Sequence, residues 1–149
     1  MRMKITFKDM QLNNTPLERL VFDSNSTSDK YILLDDVNEK RWKVKIKVFQ
    51  AIKITTIDCV DFDYRKGGEF PDVCFEDKKG YPVPQFRAHI MEVESSDWIK
   101  ELTASLKVVD SSADFMGKAR HFLIPCYDNI IEIIAWNLEL VEAEQEILK

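Results

Sequence analysis

The sequence predicts an α+β domain dominated by antiparallel β-sheet, a sandwich or half-barrel, with one amphipathic α-helix near residues 96–106 and a C-terminal β-hairpin. Three observations carry this prediction. Residues 41–49 read RWKVKIKVF, with Trp42, Val44, Ile46 and Val48 on one face and Lys43, Lys45 and Lys47 on the other, the period of two that marks a half-buried strand. Residues 96–106 read SDWIKELTASL, in which Trp98, Ile99, Leu102 and Leu106 form one apolar stripe behind a capping serine. Residues 121–140, HFLIPCYDNIIEIIAWNLEL, are almost continuously apolar on either side of a polar turn signal, as two paired strands would be.

A chain of 149 residues has the usual size of one domain, and at about 150 residues roughly 70% of the unfolded chain's surface can be buried. Apolar residues at 45% and charged residues at 32% are ordinary for a globular protein, and four glycines and five prolines leave little material for a linker. One domain over residues 1–149 is expected.

Taken in order, residues 4–7 predict a first strand and residues 23–30 a polar loop. Residues 31–34 predict a strand paired antiparallel with 41–49 across the turn-forming run 35–40. Residues 51–60, AIKITTIDCV, are rich in β-branched side chains and follow without Gly or Pro, which requires a bulge near Gln50 or one long coiled strand. Gly67, Gly68, Pro71, Gly80, Pro82 and Pro84 make 61–85 a long loop holding a short strand at 73–75. Alternation returns over 85–94. The helix then starts at Ser95 or Ser96, with Asp97 where the helix dipole favours negative charge, and 108–119 form a connection.

The net charge of -5, from 26 acidic against 21 basic residues, disfavours general nucleic-acid binding and suits a cationic protein partner. No run approaches the ~20 apolar residues of a membrane span, and MRMKITFKDM lacks the apolar core of a secretory signal. A cytoplasmic protein without membrane association is expected, so the glycosylation patterns at Asn13 and Asn25 carry no weight. Cys59, Cys74 and Cys126 are odd in number, widely spaced and without a C-x-x-C pair; they read as buried thiols. No metal and no cofactor is expected.

With Asp128-Asn129 as a type I′ turn, Cys126 faces Ile131, Ile124 faces Ile133 and Phe122 faces Ala135 on a wholly apolar side. The other side pairs Pro125 with Glu132, Leu123 with Ile134 and His121 with Trp136. His121 and Cys126 then lie on opposite faces and about 16 Å apart along the strand, too far for a nucleophile and its base. A Cys126–His89 pair stays geometrically open, but Cys126 reads as core and His121 as stacked near Trp136. Glu132, flanked by four isoleucines, is either at a solvated edge, which Pro125 opposite favours, or raised in pKa inside a pocket shared with His121 and Tyr127.

Other motifs fail on spacing. Asp72, Glu76 and Lys78 suggest a metal-dependent nuclease, but Asp72 and Glu76 would stand about 13 Å apart on one strand. Asp58, Asp61, Asp63 and Glu69 suggest a calcium loop, whose ligand register Arg65 and intervening aromatics break. Lys43, Lys45 and Lys47 make a basic row that could touch phosphate or an acidic partner, but such a row reads first as the wet side of a sheet. There is no phosphate-binding Gly-rich loop, no His-Glu-x-x-His and no Gly-x-Ser-x-Gly.

The segment from Ser96 to Leu102, then Arg120-His-Phe, Tyr127-Asp128 and Glu132-Ile-Ile-Ala135, resembles small bacterial proteins of unknown function, some of them predicted immunity proteins encoded beside secreted polymorphic toxins. The resemblance covers the C-terminal third and contains no catalytic signature. It implies a non-catalytic binding protein that neutralises a toxin partner. Glu139, Glu142, Glu144 and Glu146 would then give an acidic surface for a basic toxin domain. The alternatives are a small-molecule-binding or catalytic β-domain using His121, Tyr127 and Glu132, and a structural homo-oligomer joined through a sheet edge.

Overall fold

Alternating apolar and charged side chains sort the chain into a seven-stranded antiparallel sheet, seen in a computed structural model that describes residues 2–24, 30–60, 74–84 and 87–143. The strands are β1 (Arg2–Ile5), β2 (Leu12–Val21), β3 (Lys30–Asp36), β4 (Arg41–Thr56), β7 (Met91–Glu94), β8 (Arg120–Cys126) and β9 (Asn129–Glu142). Their order across the sheet is β1-β7-β8-β9-β4-β3-β2, and a separate pair is formed by β5 (Cys74–Glu76) and β6 (Pro82–Pro84). One helix, α1 (Asp97–Val109), lies between β7 and β8 in the chain. The predicted α+β class, mainly antiparallel and curled into a half-barrel, is what the chain adopts. Among the described residues no helix is long and apolar enough to cross a membrane.

The curl closes where the backbone of residues 6–12 bonds across to the segment before β7, through Thr6 N–H to Ile90 O at 2.9 Å and Leu12 N–H to Ala88 O at 2.6 Å. Inside it lies the main core, built from Leu12, Ile32, Leu34, Val44, Ile46, Phe122 and their neighbours on β9. The outer side carries a smaller cluster of Met3, Met91, Val93, Leu123 and Ile130.

The long strands β4 and β9 pair over most of their length and carry the kink that shapes the sheet. Core-facing residues step by two along β4 through Val44 and Ile46, then by three to Phe49 and Ile52; on β9 they step from Ala135 to Leu138. Val48 takes a positive φ of 52°, and the register shifts between Phe49 and Ala51, so the bulge expected near Gln50 is present. Residues 41–56 form one long strand, followed by a 3-10 turn at Ile57–Cys59.

Several expectations are corrected. The hairpin turn is Tyr127-Asp128, because Cys126 pairs with Asn129 and the ladder slips by two residues. Neither turn residue has a positive φ, so the turn is not type I′. A slip of two leaves the faces unchanged, but it sets Leu123 opposite Glu132 and His121 opposite Ile134. Glu132 is not at an edge: β9 lies between β8 and β4, and Ile130 to Ala135 are all buried because both sheet faces are covered there. Cys126 is core, as expected, whereas Cys59 is exposed. Strand β2 was not foreseen, nor was β6 as the partner of the short loop strand. Of the strand predicted over 85–94, residues 85–86 lie outside the described residues, 87–90 are not strand and Met91–Glu94 form β7, while α1 runs to Val109. Glu144 and Glu146, the acids Asp61, Asp63, Glu69 and Asp72, and residues 25–29 of the polar loop lie outside the described residues.

Candidate functional site

Four polar side chains converge on the outer face of the sheet beneath α1. On β8 and β9, His121 and Glu132 are diagonal neighbours on one face, since His121 pairs with Ile134 and Leu123 with Glu132. Lys53 of β4 stands directly opposite Glu132. Ser96 caps α1, its Oγ accepting from the Ile99 N–H at 3.2 Å. The caps and registers thus set a chain of contacts: Ser96 Oγ to His121 Nδ1 at 2.7 Å, His121 Nε2 to Glu132 Oε1 at 2.9 Å, and Lys53 Nζ to Glu132 Oε2 at 3.4 Å. Trp98 covers the group, edge-on to the His121 ring at 5.4 Å and under the Lys53 ammonium at 4.6 Å.

One proton arrangement satisfies every group. The Ser96 hydroxyl donates to Nδ1, and Nε2–H donates to the Glu132 carboxylate, whose second oxygen faces Lys53. Burial pushes the Glu132 pKa up, but the His121 hydrogen bond and the Lys53 charge outweigh it and hold it below the usual carboxylate range. The pocket acid with raised pKa is therefore overturned. The residue types match a Ser-His-acid triad, yet Ser96 is 6%, His121 4% and Glu132 2% exposed, and each polar atom already has a protein partner. What this arrangement does directly is fasten the start of α1 to the sheet.

Tyr127 does not join the pair. It sits exposed in the hairpin turn, about 20 Å along the strand from His121, with the Arg87 guanidinium 5.5 Å from its ring. Trp136, expected beside His121, instead donates from Nε1 to the Phe115 carbonyl. Cys126 and His89 do not pair either: burial pushes the Cys126 thiol up to about 12, and His89, lowered by burial, has Nδ1 3.1 Å from the Met10 carbonyl. Glu139 and Glu142, on β9, each face a lysine: Lys47 at 3.4 Å and Lys40 respectively.

Sequence reasoning missed the other half of the outer face, which α1 leaves bare. In-register pairing lays Arg19, Leu33, Lys43 and Val141 in one row across β2, β3, β4 and β9. The next row holds Tyr31, Lys45 and Glu139. Between them lies a groove of about 440 Å³. The Lys43 ammonium stands 4.1 Å from the Tyr31 ring centroid, and Arg41 is bonded to Asp35 at 2.9 Å and faces Glu18 at 3.4 Å. Among the described residues, Arg19 and Lys45 have no carboxylate at ion-pair distance. The lysine row was visible in the sequence; its partners on β2 and β3 were not, because β2 itself was not seen.

Among the described residues no three His, Cys, Asp or Glu side chains are grouped to hold a metal. Comparison of the chain with protein-family models, curated proteins and solved structures gives no match in any of the three.

Proposed function

We propose that the protein acts by binding a protein partner, in the neutralising manner that the resemblance to immunity proteins implies, and not by catalysis. The observation that carries this reading is the division of the outer face. On the half beneath α1, the serine, histidine and carboxylate are closed and mutually satisfied. On the other half, long charged side chains line a groove that none of the described residues covers. A closed network stabilises a scaffold, and an open charged surface sets encounter and register with a partner.

The test is capture of the tagged full chain from its native lysate, followed by native mass spectrometry. A stoichiometric protein partner is expected. A retained small molecule or metal without protein would overturn the binding reading. The triad-like distances favour one second reading, hydrolysis at Ser96, in which a fluorophosphonate would label Ser96 in wild type but not in His121→Ala; absence of labelling removes it.

A further inference from the structure

We infer that the bare groove binds an extended acidic segment of the protein partner, an inference that rests on the binding reading above. The chain is acidic overall, yet the groove is lined by Arg19, Arg41, Lys43 and Lys45 against Glu18 and Glu142. Both acids are already engaged, Glu18 with Arg41 and Glu142 with Lys40. The charge left for a ligand is therefore positive. It resides on Arg19, Lys43 and Lys45, and the contrast with a net charge of -5 makes it a local feature of this face.

The spacing matches a strand-like ligand. Lys43 and Lys45 lie on one face of β4, roughly 6.6 Å apart, the distance between alternate side chains of any extended peptide. Arg19 sits in the same row as Lys43 two strands away, roughly 10 Å across the groove. Carboxylates at alternate positions can meet Lys43 and Lys45, and a third can take the bidentate fork of Arg19. Leu33, Val141 and the Tyr31 ring supply apolar surface beneath the peptide backbone. A volume of about 440 Å³ accommodates a few side chains and not a whole domain. A nucleic acid is disfavoured because the remaining surface would repel a long polyanion.

The experiment titrates a fluorescent peptide of alternating Glu and Val into the full chain, with its Gln counterpart as control. Arg19→Gln, Lys43→Gln and Lys45→Gln are tested singly and together, with thermal melts confirming that each variant is folded. The acidic peptide is expected to bind, the Gln peptide to bind at least tenfold more weakly, and each substitution to weaken the acidic peptide by roughly fivefold or more. Equal affinity for both peptides, unchanged affinity in the triple variant, or tighter binding of single-stranded DNA would overturn the inference. The lysate capture is then repeated with the triple variant. A partner held equally by wild type and variant defeats the groove and leaves the binding reading intact, whereas no partner for wild type defeats the reading itself.

Discussion

Glu132 stays ionised at 2% exposure because His121 and Lys53 face its two oxygens, and that dependence makes it a titration point for the fold. Its folded pKa lies below the ordinary value of 4.5. The stability it contributes is therefore fully present above that value and lost as pH falls through the lower, folded one. His89 acts over a higher window. Burial lowers its pKa from 6.5, so its contribution is complete above 6.5 and declines as pH falls toward the folded value. Glu132→Gln is expected to cost roughly 1–3 kcal/mol at neutral pH, since it leaves His121 and Lys53 without their charged acceptor. Urea unfolding from about pH 7 to pH 3 separates the two groups. Both proteins should lose stability below pH 6.5 through His89, but only wild type should lose more as the carboxylate protonates. Parallel curves down to the lowest pH would remove Glu132 from this role.

At the scale of elements, the kink shared by β4 and β9 is the local conflict in the fold. Val48 is β-branched and holds a φ of 52° while 48% of its surface is exposed. Such a residue carries about 1–3 kcal/mol of backbone strain. Val48→Asn is expected to raise the unfolding midpoint by recovering on the order of 1 kcal/mol, because Asn tolerates this region and little apolar burial is lost. A lowered midpoint would mean that Val48 packing against the adjoining Phe49 outweighs the strain. Elements with local signals were legible in the sequence: the period-two run of β4 with its bulge, the Ser96 cap of α1, and the two faces of the hairpin. The faces survived an error in the turn because a slip of two preserves side-chain alternation. Strand β2 was hidden by Asn13, Asn14 and Pro16, which read as turn residues but are tolerated on an edge strand broken by register shifts. The position of Glu132 was hidden for a different reason. Whether β9 is an edge or a centre depends on its pairing with β4, far away in the chain, and no local pattern reports that. The groove inherits the same limit, since its rows exist only once four strands are in register.

For the whole molecule, the two outermost strands decide whether copies of the chain join. An exposed edge offers unpaired N–H and C=O groups to another chain unless it is short, interrupted or covered. Here β1 is four residues long. At the opposite edge β2 shifts register twice in its pairing with β3, contains Pro16 without an N–H, and exposes Glu18 and Arg19. The curl occupies this edge further, since Leu12 donates its N–H to the Ala88 carbonyl. Among the described residues, both edges of the seven-stranded sheet are thus poor templates, which weighs against the homo-oligomer, whereas the partner proposed above would use the groove. Sedimentation velocity from about 5 to 200 μM is expected to give one species with the mass of a single chain at every concentration. A dimer that grows with concentration would show that an edge or the groove itself receives a second copy. Repeating the run with the Arg19, Lys43 and Lys45 triple variant then separates these cases: a dimer that persists uses an edge, and a dimer that disappears has its contact in the groove.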